Sequence, residues 1–145
     1  MTNNPVDLYC YAEQQGIDVD WLTTMCRATS LSVPLPGGTY AIAINAWRMD
    51  TVSKETVCLA HELGHCETGS FYNPYAVLDI RQKHENRADK WAIRRLIPED
   101  EMDNAIAGGC TDFCSLAEHF GVTEDFMRKA VCLYAHGNLN AELYF

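Results

Sequence analysis

Residues 61–65 read HELGH, two histidines four apart with a glutamate directly after the first. A helix turns about 100° per residue, so His61 and His65 fall on nearly one face, a turn apart, where two imidazoles can share an ion. Glu62 is offset by one residue. It reaches past such an ion rather than onto it, to where it can hold an attacking water. Zinc lowers the pKa of a water it holds to about 7, and a neighbouring carboxylate can then take the proton as the water attacks a carbonyl. Leu59, Leu63 and Cys66 lie on the opposite face, so that side can be buried while the histidines face a cleft. Gly64 costs about 1 kcal/mol relative to alanine inside a helix, which points to close packing or a functional need.

Two histidines do not complete a catalytic zinc site; a third protein ligand and an open position are required. DIRQKHENRADKWAIRRLIP, residues 79–98, supplies candidates. Ala88, Ala92 and Leu96 mark its inward stripe, and Glu85 and Asp89 fall on that stripe at i and i+4. An ionised carboxylate facing a core is costly unless something positive compensates it. Metal ligation by Glu85 would do so, and Asp89 could accept the free ring N–H of a ligating histidine and fix its tautomer. The alternative is that both acids sit at the stripe's edge and pair with Lys90, Arg94 or Arg95. His84 is a rival ligand, one step off the stripe. His, His and Glu suit zinc, and also manganese or iron.

These residues must be positioned by the elements around them. Residues 6–15 are expected to be helical, with Pro5 in the first turn and Gly16 as a stop. IDVDWLTTM alternates apolar and polar residues as a short strand does. A Pro/Gly turn, PLPGG, leads into a strand from Thr39 to Asn45, with Tyr40, Ile42 and Ile44 on one face. Helices follow: Thr51–Thr68 stopped by Gly69, one begun by a capping pair Asp79/Gln82 and ended by Pro98, a short one before Gly108-Gly109, then about 112–120 and 123–136. GNLNAELYF, residues 137–145, reads as a final strand or a tail. Strands first and helices after them suggest an α+β domain.

At 145 residues the chain suits a single domain, 1–145, with one core. A formal net charge of −9 disfavours a nucleic-acid partner, because phosphate binding rests on clustered Lys and Arg. No apolar run approaches the roughly 18 residues needed to cross a bilayer. The N-terminal residues lack a basic start followed by an apolar stretch, so a cytoplasmic location is expected, with the seven cysteines reduced. Cys110, Cys114 and His119 form a weak candidate for a second zinc cluster. SLAEHFGVTEDFMRKA, within 112–136, looks like a helix-turn-helix unit, yet that region carries a net charge of −2, against DNA reading.

Three segments together resemble the ImmA/IrrE family of metallopeptidases: YAIAIN at 40–45, HELGH at 61–65, and ENRADKWAIRRLIP at 85–98. SLAEHFGVTEDFMRKAV at 115–131 is similar to that family's downstream LA-x-x-F-x-VS-x-x-x-M segment. The resemblance implies a small zincin-like α+β domain with a short antiparallel sheet and about five helices. It implies Zn2+ bound by His61, His65 and Glu85, with Glu62 as general base. It further implies an endopeptidase that cuts a repressor-type regulatory protein, like the stand-alone phage and prophage members. Arg87, where the family often has an acid, and Arg95, where it has an apolar residue, depart from the pattern without touching the ligand set. The strand at 39–45 is expected to hold an extended peptide by β-augmentation, and Tyr72 and Tyr75 are the first candidates to stabilise an oxyanion. Two other readings are a regulatory protein that grips a repressor without turnover, and an acidic DNA-binding regulator.

Overall fold

The computed structural model describes residues 2–139 other than Cys26 and Pro74. Of the segment expected to be a final strand or tail, residues 140–145 lie outside the described residues. The elements are α1 (Pro5–Gln14), β1 (Asp18–Leu22), β2 (Ser30–Pro34), β3 (Tyr40–Asn45), a 3-10 turn (Ala46–Arg48), α2 (Val52–Thr68), α3 (Leu78–Leu96), α4 (Glu99–Ala107), α5 (Phe113–Phe120) and α6 (Glu124–His136). The class is α+β, as expected. Among the described residues, no helix is long and apolar enough to cross a membrane.

The sheet differs from the expected antiparallel one. Its order is β1-β3-β2, with β1 parallel and β2 antiparallel to β3. The chain turns back through PLPGG, closed by Leu35 N–H to Thr39 O at 2.8 Å, and β3 then inserts between the two earlier strands. This overturns the expectation that the 39–45 strand takes up a peptide: both its edges are already paired. Among the described residues, the free edge near the cleft belongs to β2, which had no local signal beyond the alternation in SLSVP. Its Ser30 and Ser32 lie opposite Ile44 and Ile42, so all four share the face turned toward α2. Asn45 fixes this arrangement at the end of β3. Its amide donates to Ala28 O at 2.7 Å, and its own N–H reaches Thr29 O at 3.0 Å, tying down the approach to β2.

Helix α2 keeps its expected limits. The Thr51 hydroxyl accepts from Lys54 N–H, and Gly69 ends the helix at φ 64°, a left-handed conformation only glycine takes without strain. Helix α3 has Val77 as its N-cap, with no side-chain hydrogen bond there. The Asp79/Gln82 capping pair does not form; Asp79 lies inside the first turn, where its charge suits the helix dipole, and Gln82 donates to Asn86 Oδ1. Leu59, Leu63, Ala88, Ala92 and Ile93 are fully buried between α2, α3 and the sheet.

Gly64 sets the spacing of the two helices. A methyl group placed there would lie 2.4 Å from the Ala88 carbonyl oxygen and 2.9 Å from its Cα, both backbone atoms. Replacing Gly64 with alanine therefore forces α2 and α3 apart. The variant is expected to lose about 1–3 kcal/mol of stability, as overpacked cores do, although alanine favours a free helix by about 1 kcal/mol. Denaturant unfolding of chelator-treated protein checks this; a stabilised variant would mean the helices have room to spare.

Candidate metal centre

Ala88 lies between Glu85 and Asp89 on α3, so the close contact at Gly64 brings both acids against the α2 histidines. His61 Nε2 lies 2.9 Å from Glu85 Oε2, His65 Nε2 lies 3.1 Å from Glu85 Oε1, and the two Nε2 atoms are 3.2 Å apart. Among the described residues these three form the only group of three or more His, Cys, Asp or Glu side chains able to hold a metal ion. Cys110, Cys114 and His119 do not form a second. His84 is not in the group either; its ring packs against Tyr72.

The second nitrogen of each ring decides what the cluster can hold. His61 Nδ1 faces Asp89 Oδ1 at 2.7 Å, and His65 Nδ1 faces the Ser70 carbonyl, which the turn at Gly69 brings back over the ring. Both partners only accept, so both Nδ1 atoms carry the hydrogen. Two Nε2 lone pairs and a carboxylate are then left pointing at one another, an arrangement that needs a cation among them. Tetrahedral zinc with bonds of roughly 2.0–2.2 Å keeps its ligand atoms about 3.3 Å apart, close to the spacing here. The donor set fits a divalent cation.

Without one, a proton takes the cation's place. Burial opposes charge on His61, but hydrogen bonds to Asp89 and Glu85 and the nearby Glu62 outweigh it, raising the pKa from 6.5 to about 10. Burial likewise opposes charge on Glu85, yet His61 and His65 hold its carboxyl well below the usual range. A raised folded-state pKa means that stability is full below about pH 6.5 and is lost as pH climbs toward 10. Chelator-treated protein is therefore expected to melt at progressively lower temperature across that window. Zinc binding at neutral pH should release a proton, visible as a calorimetric enthalpy that follows the buffer's ionisation enthalpy. A flat melting temperature from pH 6.5 to 10 would contradict this.

Glu62 is buried beside the group, and its carboxylate is held from across the cleft: Ser30 Oγ donates to Oε2 and Ser32 Oγ to Oε1, each at 2.7 Å. Spacing along the helix gave no sign of this clamp, because its two hydroxyls come from a strand about 30 residues away in sequence. The cleft has a volume of about 830 Å³, with β2 along one side and His61, Glu62, His65, Phe71, Tyr72, Arg81 and Glu85 along the rest. Tyr72 borders it near Glu85, whereas Tyr75 is 95% exposed and does not line it, which removes Tyr75 as an oxyanion partner. Arg81 lines the cleft, and its buried Nε has no hydrogen-bond partner among the described residues. Lys90, Arg94 and Arg95, the alternative partners for the two acids, lie elsewhere: with Arg87 they line a separate cleft beside Tyr11 and Trp91, the Arg95 guanidinium 4.7 Å from the Tyr11 ring centroid.

A His–His–Glu donor set with a clamped glutamate next to it, on two helices under a small sheet, defines a zincin-like metallopeptidase domain. The IrrE N-terminal-like domain model, Peptidase_M78, matches residues 12–131. The chain belongs to that family, whose peptidases are metal-dependent. No curated protein and no solved structure shows significant similarity to it.

Proposed function

We propose that the protein is a zinc-dependent endopeptidase that cuts a repressor-type regulatory protein of a phage or mobile element. The observation that carries this reading is the placement of Glu62, a buried carboxylate with no part in the donor group, aimed into the same cleft as the three donors. His61, His65 and Glu85 would hold the ion, with Asp89 and the Ser70 carbonyl orienting the rings; Mn2+ or Fe2+ would suit the same donors. A divalent cation there supplies Lewis acidity toward a carbonyl and lowers the pKa of water.

The protein's own groups account for the rest. Glu62 takes the proton of the attacking water and returns it to the leaving amine. Ser30 and Ser32 occupy both of its oxygens and keep the carboxylate from swinging away. The substrate chain lies extended along the open edge of β2, adding a strand to the sheet. Arg81, whose buried Nε lacks a partner among the described residues, and Tyr72 line the cleft and would donate to a developing oxyanion.

The test is incubation of zinc-loaded protein with a panel of helix-turn-helix repressors, followed by intact-mass spectrometry. Discrete fragments that disappear with a chelator support the reading. Tight complexes that never yield fragments would transfer it to the alternative, a protein that grips a repressor without turnover.

A further inference from the structure

Asp89 has two oxygens and two partners. Oδ1 faces His61 Nδ1 at 2.7 Å, and Oδ2 accepts a hydrogen bond from Lys129 Nζ at 3.1 Å. The aspartate side chain is 9% exposed and the lysine is half exposed, so the ammonium covers the solvent side of a carboxylate otherwise enclosed. A carboxylate tied at one oxygen can still turn about its last torsion, which is soft. Tied at both, it presents a fixed acceptor to the ring.

The lysine comes from the part of the chain whose sequence looks like a helix-turn-helix. Helix α6 starts at a capped Thr123 and buries Phe126, Met127 and Ala130, so it is seated firmly on the core. Lys129 stands at the border of that buried face and reaches across to α3. A DNA-reading second helix would turn its cations outward to phosphates; here one of the two on α6 turns to the metal centre, and the other, Arg128, pairs with Glu124.

We infer that Lys129 is a positioning residue of the metal centre: through Asp89 it fixes the orientation of His61, which makes the α5–α6 pair a wall of the site. The inference rests on the metal-binding reading of His61, His65 and Glu85. Replacing an outer partner of a metal-bound histidine costs roughly 10- to 100-fold in metal affinity, and Lys129 acts one bond further out, so a loss of about 5- to 10-fold is expected.

The test is zinc affinity, by competition with a chromophoric chelator, for wild type, K129M, K129R, D89N and the D89N/K129M pair, with thermal unfolding of the chelator-treated proteins alongside. K129M should bind zinc about 5- to 10-fold more weakly, K129R should restore near-wild-type affinity, and K129M should add nothing once Asp89 is asparagine. The inference is overturned if K129M binds within twofold of wild type. It is equally overturned if K129M weakens binding as much without Asp89 as with it, since the lysine would then act only on general stability. A wild-type protein that takes up no zinc would sink the metal reading and this inference together, whereas tight wild-type binding with K129M unchanged sinks the inference alone.

Discussion

Replacing Glu62 with glutamine is expected to lower peptide-bond hydrolysis by about 10²- to 10⁴-fold, the usual worth of a positioned general base, while zinc affinity and stability stay near wild type. The clamp explains why the change should be confined to chemistry. Ser30 and Ser32 each donate to one carboxylate oxygen. A hydroxyl can also accept, so a glutamine amide keeps both hydrogen bonds, accepting one and donating the other. What disappears is the ability to take a proton. Fragment formation and zinc content, measured on the same preparation, decide the matter. Cleavage at the wild-type rate by E62Q would remove Glu62 from the mechanism. A biological effect that survives in E62Q with no fragments would favour the binding protein over the peptidase.

Replacing Glu85 with alanine is expected to reduce zinc affinity by more than about 100-fold, beyond the range typical of outer partners, and to abolish hydrolysis with it. Glu85 alone brings negative charge into the donor group; the other two donors are neutral rings. Its oxygens lie 2.9 and 3.1 Å from the two Nε2 atoms, one to each ring. Loss of that group leaves two imidazoles on one helix, which cannot close a site around an ion by themselves. Elemental analysis after gel filtration, backed by chelator competition, gives the answer. An E85A protein that keeps one zinc with unchanged affinity would overturn the ligand assignment, and would send attention to His84.

Much of this site could be read along the chain because its main parts are local. The 100° turn of a helix puts His61 and His65 together, the i, i+4 spacing puts Glu85 and Asp89 on one stripe, and both helices end at residues whose chemistry stops them. Gly64 announced a tight contact, and Ala88 is the backbone it meets. What could not be read is what depends on distant partners. Ser30 and Ser32 hold Glu62 across 32 and 30 residues, from a five-residue strand inside a polar stretch. Lys129 reaches Asp89 across 40 residues. The sheet order was likewise closed to local patterns: alternation marks a strand and its faces but not its neighbours, so β3 looked like a docking edge when it is the middle strand. The Asp79 cap does not form because the helix is already under way there: Val77 is the N-cap, two residues earlier, and leaves Asp79 within the first turn.

The free edge of β2 carries a hazard along with its use. Leu31 and Val33 point away from the serines and are 51% and 38% exposed, beside main-chain groups that β3 leaves unpaired. Such an edge can stack on its twin in a second molecule and start a growing aggregate. Two features oppose this: Pro34 offers no N–H at the strand's end, and a formal charge of −9 keeps copies apart at neutral pH. That repulsion fades toward the isoelectric point near 4.8, so colloidal solubility and an uncovered strand are set against each other as the solution turns acidic.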